Sequence, residues 1–363
     1  MKATNIHIFG LLTLFGCSER SIQQPSSTDI GVRRFQDAGQ VPFDAGRSLE
    51  DSGYQHEDAG PATPPATLVR YLTGSEIDAV ASPSGPSLVL MGGSREVDTA
   101  FEWWVPRING GDVVILRTSG SDGYNDYLYK EIGGTNSVET MLVTSRILAD
   151  HAYVAQQIRN AEGIFIAGGD QSTYLNNWKN TKVEEALHFA WQRGAVLGGT
   201  SAGLAVLGEF VFAAHNGSID SETAMSAPFH PRMALENDFL QLSYLENIFT
   251  DSHFGERNRL GRLISFLARC HTDFAEPMPT GLGIDERTAL VIDNQGQGTV
   301  MGSGHVYVLK SLSPPEVCES GQTLTHTSLE YWKLSDGDAI QFPGAMVSEP
   351  SKPLSVTDGK LNL

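Results

Sequence analysis

Cysteine is scarce. The 363-residue chain has three, Cys17, Cys270 and Cys318, and none stands in the C-x-x-C spacing of thiolate metal sites or dithiol redox motifs. Basic charge is scarce too: 25 lysines and arginines stand against 43 aspartates and glutamates, a formal net charge of −18 at pH 7. Charge of that sign disfavours nucleic acid and anionic lipid surfaces as partners. The apolar run near the start, Ile6–Gly16, is too brief to span a bilayer as a mature helix. The glycine-rich turn Gly198–Gly203 lacks the lysine that a phosphate-binding loop needs, so it is not read as a nucleotide site.

The early run fits an export signal. Lys2 supplies a positive start and Ile6–Gly16 an apolar core. Leu14-Phe15-Gly16-Cys17 resembles the lipobox of bacterial lipoproteins. The expectation is a signal peptide over 1–16 and lipidation at Cys17, with Ser18 favouring the outer membrane. An ordinary secretory signal is the alternative. The protein would then sit at the cell envelope, held to the membrane only by its lipid anchor, or be secreted. Residues 17–66 are poor in aliphatic side chains, and Asp-Ala-Gly recurs at 37–39, 44–46 and 58–60. Such a segment buries too little apolar surface to offset the entropy of ordering. It reads as a tether, and 67–363 as the folded domain. Cys270 and Cys318 either pair or remain buried thiols.

Within the domain, apolar runs at 87–93, 112–120, 139–145, 163–169 and 195–201 end in Gly or Ser. Continuous runs of this kind suit parallel strands covered on both faces. Helical patterns lie between them. The clearest spans 181–194, with Thr181 and Glu184 as a capping box and Gly194 at the C-terminal stop. Alternating strands and helices predict an α/β fold: a three-layer sandwich around a mostly parallel, doubly wound sheet. Strand-like runs follow residue 280, and 209–245 shows no clean period. Ligands of such sheets sit beyond the carboxyl ends of the strands.

At that edge, Gly199-Thr200-Ser201-Ala202-Gly203 fits G-x-S-x-G, a strained strand-to-helix turn that exposes a nucleophile. The alternative is a glycine turn serving only close packing. The N–H of Ala202 points toward an oxyanion position, and Gly168 or Gly169 ends the preceding run with a second donor. A base is also required. His253 follows a strand-like Ile248-Phe249-Thr250, with Asp251 on the same face at period two. A helical stripe of Leu260, Leu263, Ile264 and Leu267 comes next. Arg257, Arg259 and Arg262 near that helix start oppose its dipole, so they pair with carboxylates, grip an anionic substrate or simply face solvent. A third group must orient the imidazole. Asp285, Glu286 and Asp251 all remain open on spacing alone.

These motifs together, GGDQ at 168–171, GGTSAG at 198–203, DSHFGERNRLGRL at 251–263 and GIDE at 283–286, resemble the cyanophycinases, relatives of the dipeptidase E serine peptidases. The resemblance covers roughly 85–310. It implies a flavodoxin-like, class I glutamine-amidotransferase-like sandwich and a Ser-His-Glu triad of Ser201, His253 and Glu286. It further implies oxyanion donors at Gly169 and Ala202, and substrate recognition by Gln171, Asp251, Arg257, Arg259 and Arg262. No metal or organic cofactor is implied. The implied substrate is a peptide, cyanophycin or a β-aspartyl peptide, cleaved through an acyl-enzyme, and relatives are often dimers. One departure stands out: the family pattern has Gln where this chain has Ser252. A catalytically silent binding protein of the same fold is the alternative. A lipase-type hydrolase would place its acid before the histidine, the reverse of the order here.

Overall fold

The structure, a computed structural model, describes residues 62–363. The expected signal peptide, Cys17 and nearly all of the tether lie outside the described residues. Six strands open the domain: β1 (Val69–Gly74), β2 (Ser87–Met91), β3 (Asp112–Arg117), β4 (Ser137–Leu142), β5 (Gly163–Ile166) and β6 (Val196–Thr200). β2 to β6 pair in parallel, in the order β4-β3-β5-β6-β2. Antiparallel strands extend this centre on both sides. β1 lies outside β4, and Thr288–Ile292, Gln297–Gly302 and Ala339–Gln341 lie beyond β2. The nine-stranded sheet is therefore mixed, with its parallel part at the centre.

Alternation along the strands builds the layers. Val89, Met91, Val113, Ile115 and Phe165 face the helix Asp98–Ile108 through Phe101, Trp104 and Ile108. Leu88, Leu90, Val114, Leu116, Ile164 and Ile166 face the helices Ala152–Asn160, Gln171–Trp178 and Lys182–Gln192. Period two along a strand sends neighbours to opposite faces, so apolar residues in unbroken runs require cover on both sides. The Lys182–Gln192 helix corrects one detail. Thr181 occupies the N-cap, but its side chain does not cap the helix; its hydroxyl turns back to Trp178 O. Glu184 accepts from the N–H of Asn180 at 2.6 Å. Gly194 does adopt the left-handed conformation expected of a helix stop, with φ +94°.

A second sheet of six strands completes the domain. Its order is Lys360–Asn362, Lys352–Thr357, His326–Leu334, Val306–Ser311, Thr280–Ile284, Ile248–Asp251. Thr280–Ile284 and Thr288–Ile292 belong to different sheets, so the chain crosses between them through Asp285-Glu286-Arg287. The 209–245 region holds a two-stranded pair, Val211–Phe212 with Leu235–Glu236, and the short helix Ser221–Ser226. Cys270 and Cys318 are both buried and free. No helix among the described residues is long and apolar enough to cross a membrane.

His326 is fully buried in the second sheet. Its Nε2 lies 2.6 Å from Ser311 Oγ, and its Nδ1 has no partner among the described residues. Burial first, then the neighbouring His271, push its pKa down to about 4. The unfolded chain takes up this proton near pH 6.5, the folded chain only near pH 4. Stability is complete above about pH 6.5 and falls as pH drops toward about 4, by about 3 kcal/mol in all. Denaturant unfolding at about pH 7.5 and about pH 4.5 should show that loss, and His326→Gln should reduce it.

Candidate active site

β6 ends at Thr200, and Ser201 turns the chain into the short helix Ala202–Ala205. Ser201 has φ 53° and ψ −114°, a conformation that costs a non-glycine residue roughly 1–3 kcal/mol. The turn is held from a neighbouring strand end, since Ser201 N–H donates to Met91 O at 3.1 Å. The strained strand-to-helix turn expected from the small flanking residues is present.

His253 sits two residues beyond the strand Ile248–Asp251, also at positive φ, 45°. Its N–H donates to Gly92 O at 2.8 Å. The imidazole Nε2 lies 2.7 Å from Ser201 Oγ, and Nδ1 lies 2.7 Å from Glu286 Oε1. An ionised carboxylate only accepts, so Nδ1 carries the proton and Nε2 accepts from the serine hydroxyl. Gly93 makes the approach possible. A Cβ there would stand 2.5 Å from His253 Cε1 and 3.1 Å from Ser201 Cβ, and its φ is +106°. The Gly92-Gly93 pair was legible as a strand end in 87–93 but not as part of the site.

Of the three carboxylates left open, Glu286 is the one bonded to the imidazole. Asp285 is 5% exposed and accepts instead from Gly255 N–H at 2.6 Å and His305 N–H at 3.0 Å. Asp251 does not share a partner with His253 either; its carboxylate turns to Arg262. On the oxyanion side, Gly168 flanks the serine, where a Cβ would stand 3.5 Å from Ser201 Cβ. Tyr174 OH donates to Ala167 O at 2.9 Å and lies 3.1 Å from Gly168 O, fixing those carbonyls. The N–H groups of Gly169 and Ala202 donate to no acceptor among the described residues.

The residues expected to touch substrate divide. Asp251 and Arg262 are 3% and 2% exposed and bond each other through two contacts, one of them Arg262 Nε to Oδ2 at 2.8 Å. Arg262 also donates to Ile219 O at 3.2 Å and lies over Phe212 and Phe266. Substrate contact by this pair is therefore corrected: both charges are committed to each other in the interior. They tie the His253 strand to the helix Leu260–Asp273 and to the 209–245 segment. Arg259 donates to Asp251 Oδ1 at 3.2 Å and Ser252 O at 2.7 Å. Burial lowers its pKa to about 10. Arg257 is exposed, with no ion pair among the described residues. Gln171 begins the helix Gln171–Trp178, its amide 3.4 Å from Phe212 O. Ser252 is 4% exposed, and its N–H donates to Asp251 Oδ1 at 2.9 Å. Among the described residues no cluster of three or more His, Cys, Asp or Glu is placed to hold a metal ion.

The surroundings of the imidazole favour its neutral form. Burial lowers the pKa of His253, the Glu286 hydrogen bond raises it, and Arg257 and Arg259 lower it further, the net direction being down from 6.5. The hydrogen bond from His253 holds the Glu286 carboxyl below its ordinary value.

A serine, a neutral histidine and a carboxylate in one hydrogen-bonded line define a serine-hydrolase constellation. The model of peptidase family S51 matches residues 132–300. The cyanophycinase of Synechococcus elongatus is 32% identical over 223 residues, covering 59% of this chain and 63% of that protein. That of Trichormus variabilis is 31% identical over 217 residues, covering 58% and 67%. The crystal structure of a peptidase from an acI-B1 Actinobacterium shares the fold, with a TM-score of 0.50 at 19% identity over 72% of this chain and 99% of that one. The chain belongs to peptidase family S51. It spans 63% of the length of the Synechococcus relative.

Two arginine variants separate support from recognition. Arg262→Gln removes the bidentate partner of buried Asp251, leaving it only the longer Arg259 contact, and should cost up to roughly 3–5 kcal/mol in denaturant unfolding. Arg257→Gln should stay within about 0.5 kcal/mol of wild type in the same measurement.

Proposed function

We propose that the protein is a serine peptidase that cleaves an amide or isopeptide bond beside an anionic group, a β-linked aspartyl unit. The observation that carries this reading is the line Ser201–His253–Glu286, with 2.7 Å at each step. Family membership supports the reaction class. The relatives named cyanophycinase support the substrate class, as does the charge around the site. Arg257 and Arg259 both bring positive charge close to His253, against the carboxylate of Glu286. Those guanidiniums suit an anionic group on the substrate. With Asp251 and Arg262 committed inside, the exposed Arg257 is the group that meets it, with Arg259 beside it.

In this mechanism Ser201 Oγ attacks the carbonyl carbon as its proton passes to His253 Nε2. Glu286 holds Nδ1–H and stabilises the imidazolium. The N–H groups of Gly169 and Ala202 receive the oxyanion. His253 then protonates the departing amine, leaving an acyl-enzyme on Ser201. Water, deprotonated by the same imidazole, releases the acid and restores the hydroxyl. Every proton step runs through His253, so no other acid or base is required.

Wild type should release product from cyanophycin or a β-aspartyl dipeptide, and Ser201→Ala should lose about 10³-fold or more of that activity. Equal rates in the two proteins would remove Ser201 as nucleophile. The base must be neutral, so the acid limb of kcat/KM should lie below pH 6.5, the ordinary histidine value. Arg257→Gln removes one of the charges that lower it and should move that limb upward.

A further inference from the structure

We propose that Asp285 is a positioning residue that holds His253 and Glu286 in reacting register without touching substrate. The proposal rests on the assignment of Ser201, His253 and Glu286 as the reacting groups. Asp285 precedes Glu286 in the crossing between the two sheets, and its carboxylate gathers donors from two other segments. Oδ1 accepts from Gly255 N–H at 2.6 Å, two residues beyond His253. Oδ2 accepts from His305 N–H at 3.0 Å, with His305 Nδ1 at 3.3 Å and Tyr307 OH at 3.5 Å. The Asp285 N–H donates to His305 O at 3.0 Å, closing the same junction through the backbone.

Both turns are shaped around this side chain. A Cβ on Gly255 would stand 2.7 Å from Asp285 Oδ1, and one on Gly304 would stand 2.7 Å from Asp285 Cβ. The staple matters because of what lies on either side of it. His253 is at positive φ and is fixed on one side by Gly92 O. On the other side the chain is fixed by Phe254 N–H to Ile284 O at 3.1 Å and by the Gly255–Asp285 bond. Glu286, whose carboxylate must stay 2.7 Å from His253 Nδ1, is bonded covalently to the staple itself. One carboxylate therefore links the backbone of the base to the backbone of its orienting acid. The geometry calls for two acceptor oxygens. An asparagine has one, and in either orientation its NH₂ faces Gly255 N–H or His305 N–H.

The test compares wild type, Asp285→Asn and Gly255→Ala. Gly255 is not at positive φ, so alanine suits its backbone, but its methyl presses on the carboxylate. Each protein is labelled with a fluorophosphonate, and the far-downfield NMR signal of the His253 Nδ1 proton is recorded. Thermal unfolding measures the folded fraction. Both variants should label about 10- to 100-fold more slowly than wild type while folded, as small misplacements of reacting groups do. Both should also broaden or lose the downfield signal. On a β-aspartyl dipeptide, kcat should fall with KM little changed. If Asp285→Asn does not fold, Gly255→Ala decides. Wild-type labelling rates in a folded variant, or losses that only track the unfolded fraction, overturn the proposal. Failure of wild type itself to label overturns instead the assignment of Ser201 on which it rests.

Discussion

The structure depends on lacing three distant segments at one edge of the parallel sheet. Residues 91–93, 253–255 and 284–288 reach that edge from separate strands. His253 N–H to Gly92 O, Phe254 N–H to Ile284 O, Gly92 N–H to Thr288 O and Arg287 N–H to Gly93 O tie them together. Ser201 joins through its own N–H to Met91 O. Within this lacing Ser201, His253 and Arg287 all take positive φ. Such conformations persist only where surrounding bonds over-determine them. The backbone strain and the reacting geometry have the same origin: side chains from three segments converge because the main chains are pinned first.

Electrostatics follows from that arrangement. Burial favours the neutral form of His253, and the Glu286 hydrogen bond offsets that only in part. The arginines nearby would be unfavourable in a site for cations. Here Asp251 takes two of them, accepting from Arg259 and pairing bidentately with Arg262, which anchors the helix behind His253. Removing either member leaves a buried charge, which is why this pair is a structural joint and not a point of recognition. The exposed Arg257 keeps positive charge at the surface, while Arg259 is held by Asp251 Oδ1 and Ser252 O.

The sheet centre was legible because unbroken apolar runs at 87–93, 112–120 and 163–169 have few other uses. The serine was legible because G-x-S-x-G records a steric demand directly in small residues. Much else was not. β1 looks like any short polar-apolar segment, and its antiparallel place outside β4 depends on tertiary pairing. The second sheet needed the knowledge that the chain changes sheets at Asp285–Arg287, which no local pattern encodes. Asp285 and Glu286 are adjacent carboxylates, and only the direction of each side chain tells which meets His253 and which meets Gly255 and His305. The same limit misled for Asp251 and Arg262: charged residues close to His253 in sequence resemble substrate contacts until burial and mutual bonding are seen. Gly92-Gly93 carried a signal, a glycine pair closing a strand, but its meaning lay in the imidazole that packs against it.

The central claim is that bond cleavage passes through an acyl group on Ser201. The most direct measurement is partitioning with hydroxylamine, using two peptides that share the acyl half and differ in the amine released. A common acyl-enzyme predicts one ratio of hydroxamate to acid product from both peptides at any hydroxylamine concentration. Ratios that change with the leaving amine would mean that water attacks the bond directly, and would contradict the account.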